Sequence, residues 1–426
     1  MTKVDYMNIW IFNHYANAPG DAGGSRHFDL AKQLVRKGQQ VTILASSFNH
    51  QTRQEKHIQE PGMKIKEEIY DGVRFVWIKT TPYHKNDWWR VLNMFSYTIR
   101  AYRHARMSEN QPDVVIGSLM HPFAAVIGYL LAKRFECKFY FEERDLWPQT
   151  LIDLGKVSKN NPVIWALSQL ELYLYNKADR IIVLFDKAPE YVQQRGIDKS
   201  KVIYLPNGVD LSRYEGALSP LPESHAALLE PLKDKFISIY TGAHGLANHL
   251  DVLLDAAKLI KHHNKHIHFL LVGDGPEKER LVKRSKDEEL DNVTFMLPLQ
   301  KELIPELLKR AHVGLLPLQD SPVFKWGISP NKMYDYMASS LPIVLLCHLD
   351  DTPIEKEKTG IVIKDQFSSQ LADVLVGLSN DEEQVAEMGK RGRAYVESAH
   401  SWDRLADKLY AAMLEDTHSG ARKVDV

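Results

Sequence analysis

The sequence predicts an α/β protein built from two doubly wound parallel-sheet domains in tandem. Three observations lead there. Short apolar runs alternate with segments of helical periodicity, the runs fall into two series, and turns rich in glycine or charge follow several of them. The first series is "MNIWIF", "QQVTILAS", "VRFVWIKT", "DVVIGSL", "KFYFEER" and "RIIVLF", interrupted by helical stretches such as "SRHFDLAKQLVRKG". The second is "FISIYTG", "HIHFLLVGDG", "NVTFML", "HVGLLPL", "LPIVLLC" and "GIVIK", with "LDVLLDAAKLIKHH" and "KELIPELLKRA" between them. Runs this short and this apolar fit strands buried on both faces, which are parallel strands covered by helices. The turn signal Pro206-Asn207-Gly208 marks the join. Domains are therefore expected at 1–206 and 207–400, with a helical segment, 401–426, packing back on the first.

The chain as a whole agrees with an ordinary globular protein. Its 426 residues suggest two domains, and it is 44% hydrophobic and 26% charged. A formal net charge of −1 gives no sign of general nucleic-acid binding, which usually needs a strongly basic face. Cys137 and Cys347 are the only cysteines, so neither a disulfide framework nor a paired-cysteine metal site is expected. "FAAVIGYLLA" is too short to cross a membrane, and "MTKVDYMNIWIFNHY" has no signal-peptide h-region or cleavage site, so a cytoplasmic location is expected. His262, His263, His266 and His268 read as solvated histidines near a helix end, since no carboxylate or cysteine joins them as a metal ligand. In "NDWWRVLNMFSYTIRAYRHAR", Trp88, Val91, Leu92, Phe95 and Ile99 recur at helical spacing beside Arg90, Arg100, Arg103 and Arg106. That segment reads either as a helix packed on the first sheet or as an interfacial helix touching anionic lipid.

Ligands of open parallel sheets bind at the carboxyl ends of strands, where helix N-termini present backbone N–H groups. Four such loops carry candidate residues. "NAPGDAGGSR" places Gly23 and Gly24 before a helix, although Gly-x-Gly-x-x-Gly is absent. "FEERDLWPQ" crowds Glu142, Glu143, Arg144 and Asp145 at a strand end, either as surface salt bridges or as a site. "VGDGPEKERL" supplies Gly273, Asp274 and Gly275. In "FKWGISPNKMYDYMASSLPIV", Ser329 is a favoured N-cap and Pro330 suits the first helical position. Asn331 follows, and Lys332 and Asp335 then share a helix face. A lysine in a first turn opposes the helix dipole unless an anion is shared with it; taken alone it reads as a solvated surface lysine.

With these loops in view, the chain resembles the family 4 glycosyltransferases of the GT-B fold over nearly its whole length. "GGSRHFDLAKQLVRKGQQVTIL", "DVVIGSLMHPF", "FEERDLWPQT", "LPNGVD", "LVGDGPEKERL" and, most specifically, "DYMASSLPIV" carry the resemblance. It implies two Rossmann-like domains facing across a cleft, with the donor on the C-terminal domain and the acceptor on the N-terminal one. Within the family it is similar to the branch that builds O-antigens and capsules, N-acetylfucosaminyl transferases among them.

The family motif of two glutamates separated by seven residues falls here on Gly327 and Asp335, so Asp335 is expected on the donor ribose while the first carboxylate is missing. The positions of the usual diphosphate-binding arginine and lysine fall on Ala243 and Asn248, in the stretch that also holds Gly242 and His244. The family's histidine before aspartate is Arg144 before Asp145.

What the resemblance implies is a retaining hexosyl- or N-acetylhexosaminyl-type transferase. It would move a sugar from a UDP-sugar to a glycan or a polyprenyl-diphosphate-linked acceptor, with no metal and no cofactor beyond the co-substrate. Arg144, Asp145 and His121 are the catalytic candidates, and Lys332 would stabilise the departing diphosphate. Peripheral contact with an anionic inner membrane face through Trp88–Arg106 is part of the same expectation. The alternatives are a nucleotide-sugar epimerase of the same architecture and a nucleotide-sugar-binding protein without catalysis.

Overall fold

The computed structural model describes residues 6–21, 24–85, 88–153, 157–216 and 218–421. The chain divides into two compact units. The first comprises Met1–Pro206, Lys325–Gly327 and Trp402–Val426, and the second Asn207–Phe324 and Ile328–Ser401.

In chain order the first unit contains β1 (Asn8–Phe12), β2 (Gln40–Ser46), a small hairpin of β3 (Phe48–Asn49) and β4 (Gln54–Glu55), then β5 (Ile65–Tyr70) and β6 (Val73–Ile78). It continues with β7 (Val114–Ser118), β8 (Lys138–Glu143), β9 (Arg180–Val183) and β10 (Val202–Tyr204). Its main sheet runs β10-β9-β8-β7-β1-β2-β6-β5. Every pair is parallel except β5 with β6. That antiparallel edge departs from the all-parallel expectation. Asp71-Gly72, both at positive φ, turn the chain directly back, and a two-residue connection permits only antiparallel pairing.

Alternating side chains of β1 point to opposite faces. Ile9 and Ile11 pack with the helices Arg26–Arg36 and Trp402–Ala421, whereas Trp10 and Phe12 pack with Trp88–Ala105, Pro122–Phe135 and Pro162–Lys177.

The helix Trp88–Ala105 lies on the sheet the opposite way from its apolar pattern. Asn93, Tyr97, Ala101 and Ala105 face inward, while Trp88, Val91, Leu92, Phe95 and Ile99 are exposed. Two polar groups explain the inversion. The Asn93 amide donates to the Thr81 carbonyl at 2.6 Å, and the Tyr97 hydroxyl donates to the Leu44 carbonyl at 2.6 Å. Buried backbone acceptors therefore select polar side chains for the inner face. Among the described residues, no helix is long and apolar enough to cross a membrane.

The second unit has β11 (Phe236–Thr241), β12 (Ile267–Val272), β13 (Val293–Met296), β14 (Val313–Pro317), β15 (Ile343–Leu346) and β16 (Gly360–Ile363). The order is β13-β12-β11-β14-β15-β16, all parallel. Ile237 and Ile239 face the helix Asn331–Ala338, and Phe236 and Tyr240 face Asp251–Ile260 and Phe367–Ser379. His268 lies inside β12, buried and bonded to the Thr294 hydroxyl at 2.8 Å, so it is not a solvated helix-end histidine. Burial holds its pKa down at about 4.

Candidate functional site

In each sheet one strand has neighbours on both sides that leave it in opposite directions of strand order. These switch points are β1/β7 in the first unit and β11/β14 in the second. Crevices open at the carboxyl ends of such strands.

In the second unit Gly242 follows β11, and Gly273 and Gly275 follow β12. Their φ angles are +139°, +151° and +158°. A Cβ at Gly273 would stand 1.8 Å from the Gly242 carbonyl oxygen, and one at Gly275 would stand 2.5 Å from that of His244. Only glycine permits this backbone-on-backbone packing. His244 N–H donates to Asp274 O at 2.8 Å, and Glu277 N–H donates to His244 O at 2.9 Å, which locks the loops together. The His244 ring is buried with both nitrogens unpartnered, and its pKa falls to about 4 through burial and the nearby Lys278 charge.

Lys332 reaches the same loops from the helix Asn331–Ala338. Its Nζ lies 3.9 Å from the centroid of the Tyr240 ring, and a Cβ at Gly242 would come within 2.7 Å of it. Burial lowers the ammonium pKa to about 7.

Pro330, not Ser329, is the residue before the first helical turn, and Asn331 begins the helix. The Ser329 hydroxyl instead accepts from the Asn207 N–H at 2.9 Å and bonds the Tyr334 hydroxyl at 3.1 Å. Tertiary partners thus take the cap that the local pattern offers. Asp335 accepts from the Tyr214 hydroxyl at 2.7 Å, and the Tyr336 hydroxyl accepts from Thr241 N–H at 2.8 Å, tying the helix to the end of β11. Gly242, His244, Gly273, Asp274, Gly275 and Lys332 are thereby brought together, with Pro330, Asn331 and Asp335 on the helix that carries the lysine.

In the first unit His14 follows β1 and His121 follows β7. His14 Nδ1 and His121 Nε2 are 2.7 Å apart. The His14 ring lies between those of Tyr15 and Tyr97, each 4.4 Å away. Both histidines are buried, and each keeps one ring nitrogen without a hydrogen-bond partner. Burial, then the Arg90 charge, holds His121 at about 3, and burial with the His121 and His50 charges lowers His14. The pair is neutral near pH 7. A polar pocket beside it is lined by His14, Tyr15, Asn17, Asn49, His50 and His57. None of these was singled out in the sequence, although "NHY" and "FNH" directly follow the first two strand runs. Applying the strand-end rule to every strand would have found His14, Tyr15, Asn49 and His50.

Glu142 and Glu143 are not surface salt-bridge partners but buried residues inside β8. Glu142 is held ionised by Arg26 at 3.0 Å and His27 at 2.5 Å. Burial opposes that ionisation, but the two partners together hold its pKa well below the usual carboxylate range. Burial and the neighbouring Glu171 push Glu143 the other way, while the Tyr175 hydroxyl donates to it. Arg144 and Asp145 follow β8. Arg144 approaches the Met120 sulfur at 3.5 Å, and Asp145 is exposed.

Of the glycine turn after β1, Gly23 lies outside the described residues. Gly24 would meet nothing within 4 Å if given a Cβ. Gly327, by contrast, has φ +109°, and a Cβ there would lie 2.1 Å from Asp186 Oδ1. No glutamate fits at Gly327 unless Asp186 moves. Among the described residues, no group of three or more His, Cys, Asp or Glu is placed to hold a metal ion.

Two family descriptions match the chain: Glycosyltransferase Family 4 over residues 23–213, and glycosyl transferases group 1 over residues 235–381. The chain belongs to glycosyltransferase family 4. The chain is 22% identical over 259 residues to the probable glycosyltransferase WbjE of Pseudomonas aeruginosa, covering 60% of this chain and 61% of that one. It is 24% identical over 231 residues to the putative colanic acid biosynthesis glycosyl transferase WcaI of Escherichia coli K12, covering 53% and 56%. The chain thus spans less than two thirds of the length of either. The sucrose-phosphate synthase of Thermosynechococcus elongatus has a similar structure, with a TM-score of 0.71 at 17% identity over 97% of this chain and 100% of that one. Anabaena Alr3699/HepE, solved in complex with UDP-glucose, gives a TM-score of 0.67 at 13% identity over 96% and 100%. These neighbours share the GT-B fold.

Proposed function

We propose that this family 4 chain is a retaining glycosyltransferase. It moves a hexosyl or N-acetylhexosaminyl group from a UDP-sugar to a glycan or polyprenyl-diphosphate-linked acceptor in surface polysaccharide biosynthesis. The observation that carries this reading is the pair of glycine loops, Gly242 and Gly273–Gly275, packed beside the Lys332 ammonium at the carboxyl ends of adjacent parallel strands.

Backbone without side chains admits a diphosphate closely, and a lysine at a helix start supplies the cation. As the glycosidic bond breaks, charge grows on the diphosphate, and Lys332 with the Asn331–Ala338 N–H groups opposes it. No metal is needed for that step. Asp335 accepts the ribose hydroxyls. In the first unit Arg144 and Asp145 act on the reacting sugar, and neutral His121 is a hydrogen-bonding group for the acceptor. The UDP-glucose complex of HepE supports a uridine donor, and WcaI's assignment to colanic acid supports the polysaccharide pathway. A lipid-linked acceptor keeps the enzyme at the inner membrane face, with Trp88–Arg106 as its peripheral contact.

Incubation with labelled UDP-sugars and a lipid-linked acceptor, read by mass spectrometry, tests the proposal. Sugar on the acceptor is expected. An epimerised donor would make the chain an epimerase, and binding without turnover a non-catalytic receptor. Calorimetry with UDP, GDP and ADP tests the base, and tighter binding of GDP or ADP would sink the uridine assignment.

A further inference from the structure

We propose that the membrane contact is the joint outer face of three adjacent helices, Trp88–Ala105, Pro122–Phe135 and Pro162–Lys177, and that its occupant is an anionic phospholipid bilayer. This deepens the peripheral contact suggested above and rests on it.

All three helices cover the same face of the first sheet. Tyr97, Ala124, Ile127, Leu131, Leu174 and Tyr175 share one core with Trp10 and Phe12 of β1. Their outward sides therefore form one surface. Aromatic contacts join neighbour to neighbour across it, Phe95 to Phe123 at 4.7 Å and Tyr129 to Tyr173 at 5.7 Å.

That surface is apolar where solvent would select polar groups. Trp88 is 59% exposed, Ile99 50%, Leu130 42%, Val163 63% and Trp165 65%. Contiguous exposed apolar area of this kind marks a docking site, and tryptophan and tyrosine suit the lipid interface.

Charge selects the occupant. Residues 88–105 and 122–135 contain no carboxylate, and the one in 162–177, Glu171, is buried. Arg103, Lys133, Arg134 and Lys177 are exposed on the same helices. A second copy of the chain would set these cations against their own counterparts, because a two-fold interface presents the same patch twice. A bilayer carrying phosphate headgroups has the opposite charge and takes the aromatic side chains. None of these helices spans a membrane, so the protein lies on the surface.

The test is sedimentation of the full chain with vesicles of phosphatidylglycerol and phosphatidylcholine, against phosphatidylcholine alone, at low salt. The chain is expected to partition onto the anionic vesicles only. Val163→Ser with Trp165→Ser should lower that partitioning about fivefold or more, as should Trp88→Ser with Trp89→Ser. These side chains are exposed, so both variants should keep their fold and their UDP binding. Parent-like binding of the Val163/Trp165 variant, with loss in the Trp88/Trp89 variant, would overturn the three-helix surface and leave the single-helix contact standing. No binding by the parent would remove both. A dimer in solution that the Val163/Trp165 variant abolishes would overturn the bilayer in favour of self-association. Sugar transfer to a soluble acceptor, measured on the same proteins, reads the glycosyltransferase proposal independently of all these outcomes.

Discussion

The Lys332 ammonium lies 3.9 Å from the centroid of the Tyr240 ring, and among the described residues it makes no ion pair. A ring face attracts a cation but does not replace its lost hydration. Burial accordingly brings the lysine to about 7, where it is half neutral in the unliganded protein.

A diphosphate brought to this amine holds its proton in place. Binding of UDP should therefore take up a proton above pH 7, and the affinity should fall as pH rises, by up to about tenfold per unit. Calorimetry in buffers of different ionisation enthalpy checks the uptake. Lys332→Ala should lose both the pH dependence and about 1.5–3 kcal/mol of UDP binding. Unchanged affinity would remove Lys332 from the site.

Asp145 is exposed at the end of β8, so Asp145→Asn should change stability by less than about 0.5 kcal/mol. If it acts on the reacting sugar, kcat falls much more than UDP affinity. Equal losses in both would assign it a structural role.

The buried pair of His14 and His121 couples folding to acidity. Their pKa values are depressed in the fold, so the unfolded chain binds more protons below its histidine pKa of about 6.5. Stability should thus decline as pH falls from there toward about 3. Thermal melts between pH 7 and 4 should show a shallower decline in His121→Gln than in the parent, and parallel curves would contradict the assignment.

Gly327 has a backbone that L-residues rarely adopt, and it abuts Asp186. Gly327→Ala should destabilise the first unit by about 1–3 kcal/mol. Adding Asp186→Ala should recover the part due to the collision, leaving the backbone cost. Denaturant midpoints separate the two, and a neutral Gly327→Ala would refute the contact.

The order of strands and helices was legible because burial on both faces leaves uninterrupted apolar runs, as in "FISIYT" and "IHFLLV". The strand β5, "IKEEIY", was not, since it forms an edge with charged side chains in solvent, although Asp71-Gly72 was a usable turn signal. Which side of the Trp88 helix meets the sheet was hidden for a related reason. Helical periodicity locates a face but does not say which side meets the sheet when buried carbonyls need polar partners.

The residue types at the strand ends, with their glycines, Lys332 and Asp335, were open to a reader of the sequence alone, because loop chemistry is local. Only the tertiary structure joined His14 to His121 across 107 positions, packed Gly242 on Gly273, and set Asp186 where a side chain at Gly327 would stand. These contacts follow from strand order, which brings distant strand ends side by side. No local pattern of residues encodes that adjacency.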